Sequence, residues 1–216
     1  MTSATSGAQA TGRPVRLPRS ARRKQLLAAA QQVFVQHGYH AAAMDEIAER
    51  AGVSKPVLYQ HFPGKLELYL ALLDTHCDAL NARMRDAMAT TTDNKQRVRN
   101  TTQAYFDFID HESEAFRLVF ESDLRNEPAV RERVERVEAH SISVITDTIM
   151  ADTGVSRARA EILAAGLVGA AETAARFWLA SGRRVEKGEA EQLISALSWR
   201  GIASFPLQGE QQGDQA

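Results

Sequence analysis

The sequence predicts an all-α protein of about nine helices, with a three-helix helix-turn-helix domain at the N-terminal end and a larger helical body behind it. Three observations carry this. No stretch shows the period-2 alternation of a half-buried strand, whereas apolar residues recur at i, i+3, i+4 spacing. After residues 90–94 there is no proline until Pro128, and then none until Pro206, so nothing interrupts long helices there. Residues 43–65, AMDEIAERAGVSKPVLYQHFPGK, read as two short helices around a glycine-bearing turn. At 216 residues the chain can bury a core as one large domain or two small ones.

Taken in order, residues 1–18 are rich in Ser, Thr, Ala, Gly and Pro without apolar periodicity, which predicts disorder. Arg13, Arg16 and Arg19 recur there at three-residue intervals. Two readings stand: an arm that follows the backbone or minor groove of DNA, or a solubilising tail. A first helix is predicted over 20–37, capped by Ser20 and closed by Gly38, with Leu26, Leu27, Ala30, Val33 and Phe34 on one face. Arg22, Arg23 and Lys24 crowd its first turn, where cations oppose the helix dipole and phosphate contact would account for them. Tyr39 is expected to pack in the link that follows.

The second helix is predicted over 44–50, with Ile47 and Ala48 inward. Gly52 supplies the positive φ of the turn and Val53 tucks beneath it. Ser54 suits an N-cap, Pro56 a first turn, and the third helix runs to about Phe62 before Pro63-Gly64 stops it. The second helix of such a pair enters the DNA major groove. Gln60 can offer a bidentate amide to adenine and Val57 an apolar contact to a thymine methyl. Leu58 and Phe62 read as core. Lys65, at the start of the next helix, is badly placed for the dipole and well placed for phosphate.

Charge supports this division. Residues 1–65 carry nine Lys/Arg and three acids, while the remainder carries 17 Lys/Arg against 24 Asp/Glu, around an overall net charge of -1. A basic head on an acidic body predicts that the head alone meets phosphate. The single cysteine, Cys77, excludes an intramolecular disulfide and fits a reducing cytoplasm. No secretory segment or long uncharged apolar run is expected, so the reading is a soluble protein with no membrane partner.

A fourth helix over 65–89 carries the stripe Leu66, Tyr69 or Leu70, Leu73, Cys77, Leu80 and Met84. Its length lets it link the head to the body. Asp93 suits the N-cap of a helix over 94–110. Further helices follow over 113–123, 128–150, from after Ser156 to Ser181-Gly182, and over 187–203, and the tail after Pro206 reads as disordered. Five of the eight phenylalanines fall in the body. They are core, or they line a cavity between helices. The cavity candidates are Leu73, Cys77, Leu80, Phe106, Phe116, Phe120 and Phe177.

The run RRKQLLAAAQQVFVQHGYHAAAMDEIAERAGVSKPVLYQHFPGKLELYLALL resembles the TetR family of bacterial transcription regulators over residues 20–73, above all in GY, MDEIAERAGVS, LYQHF and Lys65. The resemblance implies a DNA-binding domain over 19–65 and a helical body over 66–205 that binds a small ligand and dimerises, flanked by tails at 1–18 and 206–216. It carries Lys55, Tyr59 and His61 over as phosphate or base-edge contacts, so the DNA-binding set is Arg19, Ser54, Lys55, Val57, Tyr59, Gln60, His61 and Lys65. Ala42 and Ala43 depart from it, since many relatives place a hydroxyl there. The small-residue helix EILAAGLVGAAETAARFWLA and the last helix would form the dimer interface through Ala165, Gly169, Leu193, Leu197 and Trp199; the alternative is that the two pack within one chain. GYHAA, TTTDN, FDFI, Arg117, Leu118, Phe120, Glu121 and AGLVG further resemble actinobacterial TetR-type regulators of fatty-acid synthesis, which implies a long-chain acyl-CoA effector. The partners implied are an inverted-repeat DNA operator, a second copy of the chain and an apolar effector.

Two other classes compete with this reading. Asp107, Asp110 and His111 share a helix face, and Asp74, His76, Cys77 and Asp78 cluster, so a weak metal site in an enzyme is geometrically possible. No nucleophile-base motif or phosphate-cradling loop accompanies them, and no catalytic residue, cofactor or metal is expected. A ligand-free protein-interaction module would lack a cavity.

Overall fold

The computed structural model describes residues 17–111, 124 and 126–202, and every regular element among them is an α-helix. They are α1 Arg19–Ala41, α2 Met44–Arg50, α3 Lys55–His61, α4 Lys65–Ala89, α5 Asn94–His111, α6 Pro128–Thr153, α7 Arg157–Ala180 and α8 Lys187–Ile202. The helix expected over 113–123, with Phe116 and Phe120, lies outside the described residues, as do Arg13, Arg16 and the tail after Pro206.

The head is built on α1, whose Leu26, Ala30, Val33 and Phe34 are buried as the spacing predicts. Its start differs. Pro18, not Ser20, occupies the cap position, because the Arg22 N–H bonds the Pro18 carbonyl one turn earlier. Gly38 breaks the helix with φ +74, and the chain resumes helical turns to Ala41. The turn between α2 and α3 is as expected: Gly52 has φ +62, and the N–H groups of Gly52 and Val53 bond the Glu49 and Ala48 carbonyls. Ser54 takes the cap backbone conformation before α3 but makes no side-chain cap bond. Leu58 and Phe62 are buried, and the Phe62 ring lies beneath Arg23 of α1.

α4 leaves the head as one helix of 25 residues, about 37 Å at the usual rise. Phe34, Tyr39 and Tyr69 form an aromatic cluster at the head end, with ring centroids 5.3–5.8 Å apart. The buried stripe is Leu68, Tyr69, Leu72, Leu73, His76, Cys77 and Leu80, so Leu68 and Leu72 take the inward place expected of Leu66. In the body, α4 packs on α5 and α6, and α7 packs on α6. Ion pairs tie the layers: Arg133 to Asp74 at 2.8 Å, Arg97 to Asp152 at 3.1 Å, Lys187 to Asp107 at 2.5 Å and Arg183 to Asp110 at 2.9 Å. Trp178 packs on Phe106 and donates to the Val185 carbonyl.

Candidate DNA-binding face and ligand cavity

α3 presents one polar face. Ser54, Lys55, Tyr59 and Gln60 are exposed, and Val57 and His61 are half-buried. Tyr59 is 47 % exposed, unusual for an aromatic side chain with a core available beside it. Lys55 pairs with Asp45 of α2 across the turn. The start of α1 converges on the end of α3, a juxtaposition that sequence spacing cannot show. Arg23 stacks over the Phe62 ring at 4.4 Å. Arg22 bonds Gln25, which in turn donates to the Ala51 carbonyl in the turn. Burial first, then the charges of Arg19, Arg23 and Arg22, push the His61 pKa below its ordinary 6.5. Arg19, Arg22 and Arg23 thus form one cationic border beside His61 at the recognition face.

Lys65 makes contacts that the sequence did not show. Its ammonium donates to the carbonyls of Tyr39 at 2.8 Å, His40 at 3.0 Å and Ala42 at 3.0 Å, and lies 4.6 Å from the Tyr39 ring centroid. An ammonium has three donors, and all three are engaged. Without DNA, Lys65 therefore clamps the start of α4 to the end of α1. Ala42 is buried, and Ala43 caps α2 without any side-chain bond, so no hydroxyl serves that turn.

A cavity of about 680 Å³ opens in the body. Its walls are Met84 and Met88 of α4, Val98, Thr101, Thr102 and Tyr105 of α5, Ser141, Ile145, Thr148 and Ile149 of α6, Leu163, Leu167, Val168 and Ala171 of α7, and Ser198 and Trp199 of α8. Thr92, Asp93, Asn94, Lys95, Arg97, Asp152 and Thr153 form its polar end, where Thr92, Asp93 and Lys95 are exposed and make it the mouth. There Arg97 donates to the Thr91 carbonyl, to Asn94 and to Asp152. Asp93 caps α5 through the Gln96 N–H, as expected. The volume falls in the range of small-molecule sites.

The cavity lies elsewhere than the aromatic residues suggested. Leu73, Cys77, Leu80 and Phe106 are buried in packed core and do not line it, and Phe177 is 73 % exposed. The void forms where short side chains such as Thr101, Ser141, Thr148 and Ala171 face one another between the larger Tyr105 and Trp199. Trp199, expected at a dimer interface, lines the cavity. Burial pushes the Cys77 thiol up to about 12, which keeps it a neutral core residue.

An apolar stripe remains uncovered on α7 and α8. Ile162, Phe177, Leu193 and Leu197 are 59–75 % exposed, Ala165 is exposed, and Gly169 is half-buried beside them. A Cβ at Gly166 or Gly169 would meet nothing of this chain within 4 Å. By length and composition alone α7 is apolar enough to cross a membrane, and only 17% of its most apolar window is buried within the chain. Asp107 and Asp110 are committed to Lys187 and Arg183, and no metal-ligand cluster is present among the described residues.

Comparison with known proteins agrees with this architecture. The model of bacterial regulatory proteins of the tetR family matches residues 26–72, and that of the tetracyclin repressor-like C-terminal domain matches residues 94–201. The HTH-type transcriptional activator FasR of Mycolicibacterium smegmatis is 50% identical over 192 residues, covering 89% of this chain and 88% of that protein. A TetR-like regulator from Rhodococcus sp. RHA1 superposes with a TM-score of 0.70 at 26% identity, over 88% of this chain and 100% of its own. FadR from Bacillus subtilis, solved in complex with stearoyl-CoA, shares the fold with a TM-score of 0.68 at 18% identity, over 83% of this chain and 98% of its own. The chain belongs to the TetR family of DNA-binding bacterial transcription regulators and is not an enzyme.

Proposed function

We propose that the protein acts as a homodimer on an inverted-repeat operator in the cytoplasm and is controlled by an acyl-CoA held in the body. The division into a DNA-binding domain over 19–65 and an effector domain over 66–205 belongs to this reading. α3 would enter the major groove, with Val57, Tyr59 and Gln60 toward base edges and Arg19, Ser54, Lys55 and His61 toward phosphates. The second copy would cover the α7 and α8 stripe. Two glycines in an exposed helix interior cost about 1 kcal/mol each relative to alanine, and nothing in this chain makes use of the space they leave. A closely packed partner helix would.

The observation that carries the ligand reading is the cavity itself: it runs about 16 Å along α5 from Asn94 to Tyr105, with apolar walls from α4, α6 and α7, and its polar end bears an exposed Lys95 and an Arg97 paired with Asp152. This shape suits an amphiphile with an anionic head and a long chain. A fold that holds stearoyl-CoA in a distant FadR, and the sequence likeness to regulators of fatty-acid synthesis, favour a long-chain acyl-CoA and genes of lipid metabolism. The cavity disfavours a ligand-free interaction module. The test is operator binding by fluorescence anisotropy with palmitoyl-CoA or CoA alone. Palmitoyl-CoA should shift the affinity and CoA should not. Ala171→Phe, which fills the cavity, should bind operator and lose the response. Equal effects of the two compounds, or an unaltered response in the variant, would remove the cavity as the effector site.

A further inference from the structure

Tyr105 stands apart among the cavity walls. It is 8 % exposed, lines the cavity, and its hydroxyl has no hydrogen-bond partner among the described residues. The threonines beside it are different: Thr101 and Thr102 donate to carbonyls of their own helix. The Tyr105 hydroxyl opens onto the cavity space, so a ligand that displaces water there must supply its partner or leave a buried phenol unpaired at a cost. Burial, with Glu172 and Glu138 outweighing Arg176, holds its pKa well above 10.0, so it remains a donor at any physiological pH. From Arg97 at the mouth to Tyr105, α5 rises about 12 Å. We infer that Tyr105 is a specificity-determining residue whose hydroxyl donates to an oxygen carried by the ligand about 12 Å inside the mouth. The ligand is then not a bare hydrocarbon below its head. The shared chemistry is a hydrogen-bond-accepting oxygen within an elongated amphiphile, supplied by a thioester carbonyl at the end of a polar arm or by an oxygen on the chain. This rests on the cavity being the effector site.

The test uses the full-length protein and Tyr105→Phe, which keeps the ring and removes the hydroxyl, with equal thermal melts as the folding control. Each is titrated calorimetrically with palmitoyl-CoA, with S-hexadecyl-CoA (a thioether lacking the carbonyl), with hexadecanoic acid and with 12-hydroxyoctadecanoic acid. With the thioester as source, palmitoyl-CoA binds the variant about tenfold more weakly, while S-hexadecyl-CoA binds both proteins alike. With a chain oxygen as source, the tenfold loss appears with the hydroxy acid and not with hexadecanoic acid. If ligands bind and none distinguishes the two proteins, the role of Tyr105 is overturned while the effector site stands. If no probe binds either protein, both readings fall.

Discussion

His61 joins the two ends of the DNA-binding head through charge. Desolvation and the arginines at the start of α1 keep its imidazole neutral in the free protein. A phosphate beside it would favour the charged form and raise its pKa, so the complex would take up a proton that the free protein lacks. Operator binding should therefore tighten as pH falls from neutral toward the free-state pKa below 6.5, and level off beneath it. Anisotropy titrations across that range, with His61→Gln as comparison, check this: a pH dependence that survives the substitution removes His61 from the phosphate contacts. Gln60→Ala should act differently, relaxing base preference by about 1–3 kcal/mol at one position of the half-site. An unchanged preference in a site-selection assay would take it out of the readout set. At this scale much was legible. Leu58 and Phe62 follow helical spacing and are core, and Tyr59 is exposed in a helix that had room to bury it. Lys65 was not legible, because the three carbonyls it grips are brought to it by the Gly38 break and the fold of α1 onto α4.

At the scale of elements, the grip of Lys65 makes α4 an extension of the head. Lys65→Ala should leave the salt dependence of DNA binding unchanged and lower the stability of the head by about 1–3 kcal/mol, the size of losing bonds to a charged donor. If instead the slope of log affinity against log salt falls by about one with stability intact, Lys65 meets phosphate in the complex. The α7 stripe gives a second prediction. On a solvated face, Gly166→Ala with Gly169→Ala would stabilise the chain, since the added methyls meet nothing within it and alanine is the better helix former. Against a closely packed second copy the same change should raise the dimer dissociation constant at least tenfold in sedimentation equilibrium. A melt that rises with no change in dissociation would place the stripe in solvent. Most helix bounds among the described residues were legible, although α1 runs on to Ala41 past Gly38 and α6 to Thr153. The cavity was not, because its walls are made by what is absent. Thr101, Ser141, Thr148 and Ala171 leave space only when their helices face one another, and no single helix records which neighbours it will meet.

For the whole molecule, the proposed control has to connect a cavity at one end of α4 with a recognition helix at the other. Met84 and Met88 line the cavity and Lys65 grips the chain entering α2, so one continuous helix touches both sites. Contact alone does not establish control; the ligand must bind one arrangement of the heads better than the other. That requirement is measurable from both sides. If the effector changes operator affinity by some factor, operator must change effector affinity by the same factor, with about 5–150-fold the usual span. Titrating palmitoyl-CoA into the protein alone and into its complex with DNA selected by the protein from a random pool should return the factor found when DNA is titrated with and without palmitoyl-CoA. Lys65→Ala should reduce that factor from both directions together, because the clamp lies between the sites and touches neither ligand. A factor that survives the substitution would route the coupling through the dimer face, where α8 carries Trp199 into the cavity and Leu193 and Leu197 outward.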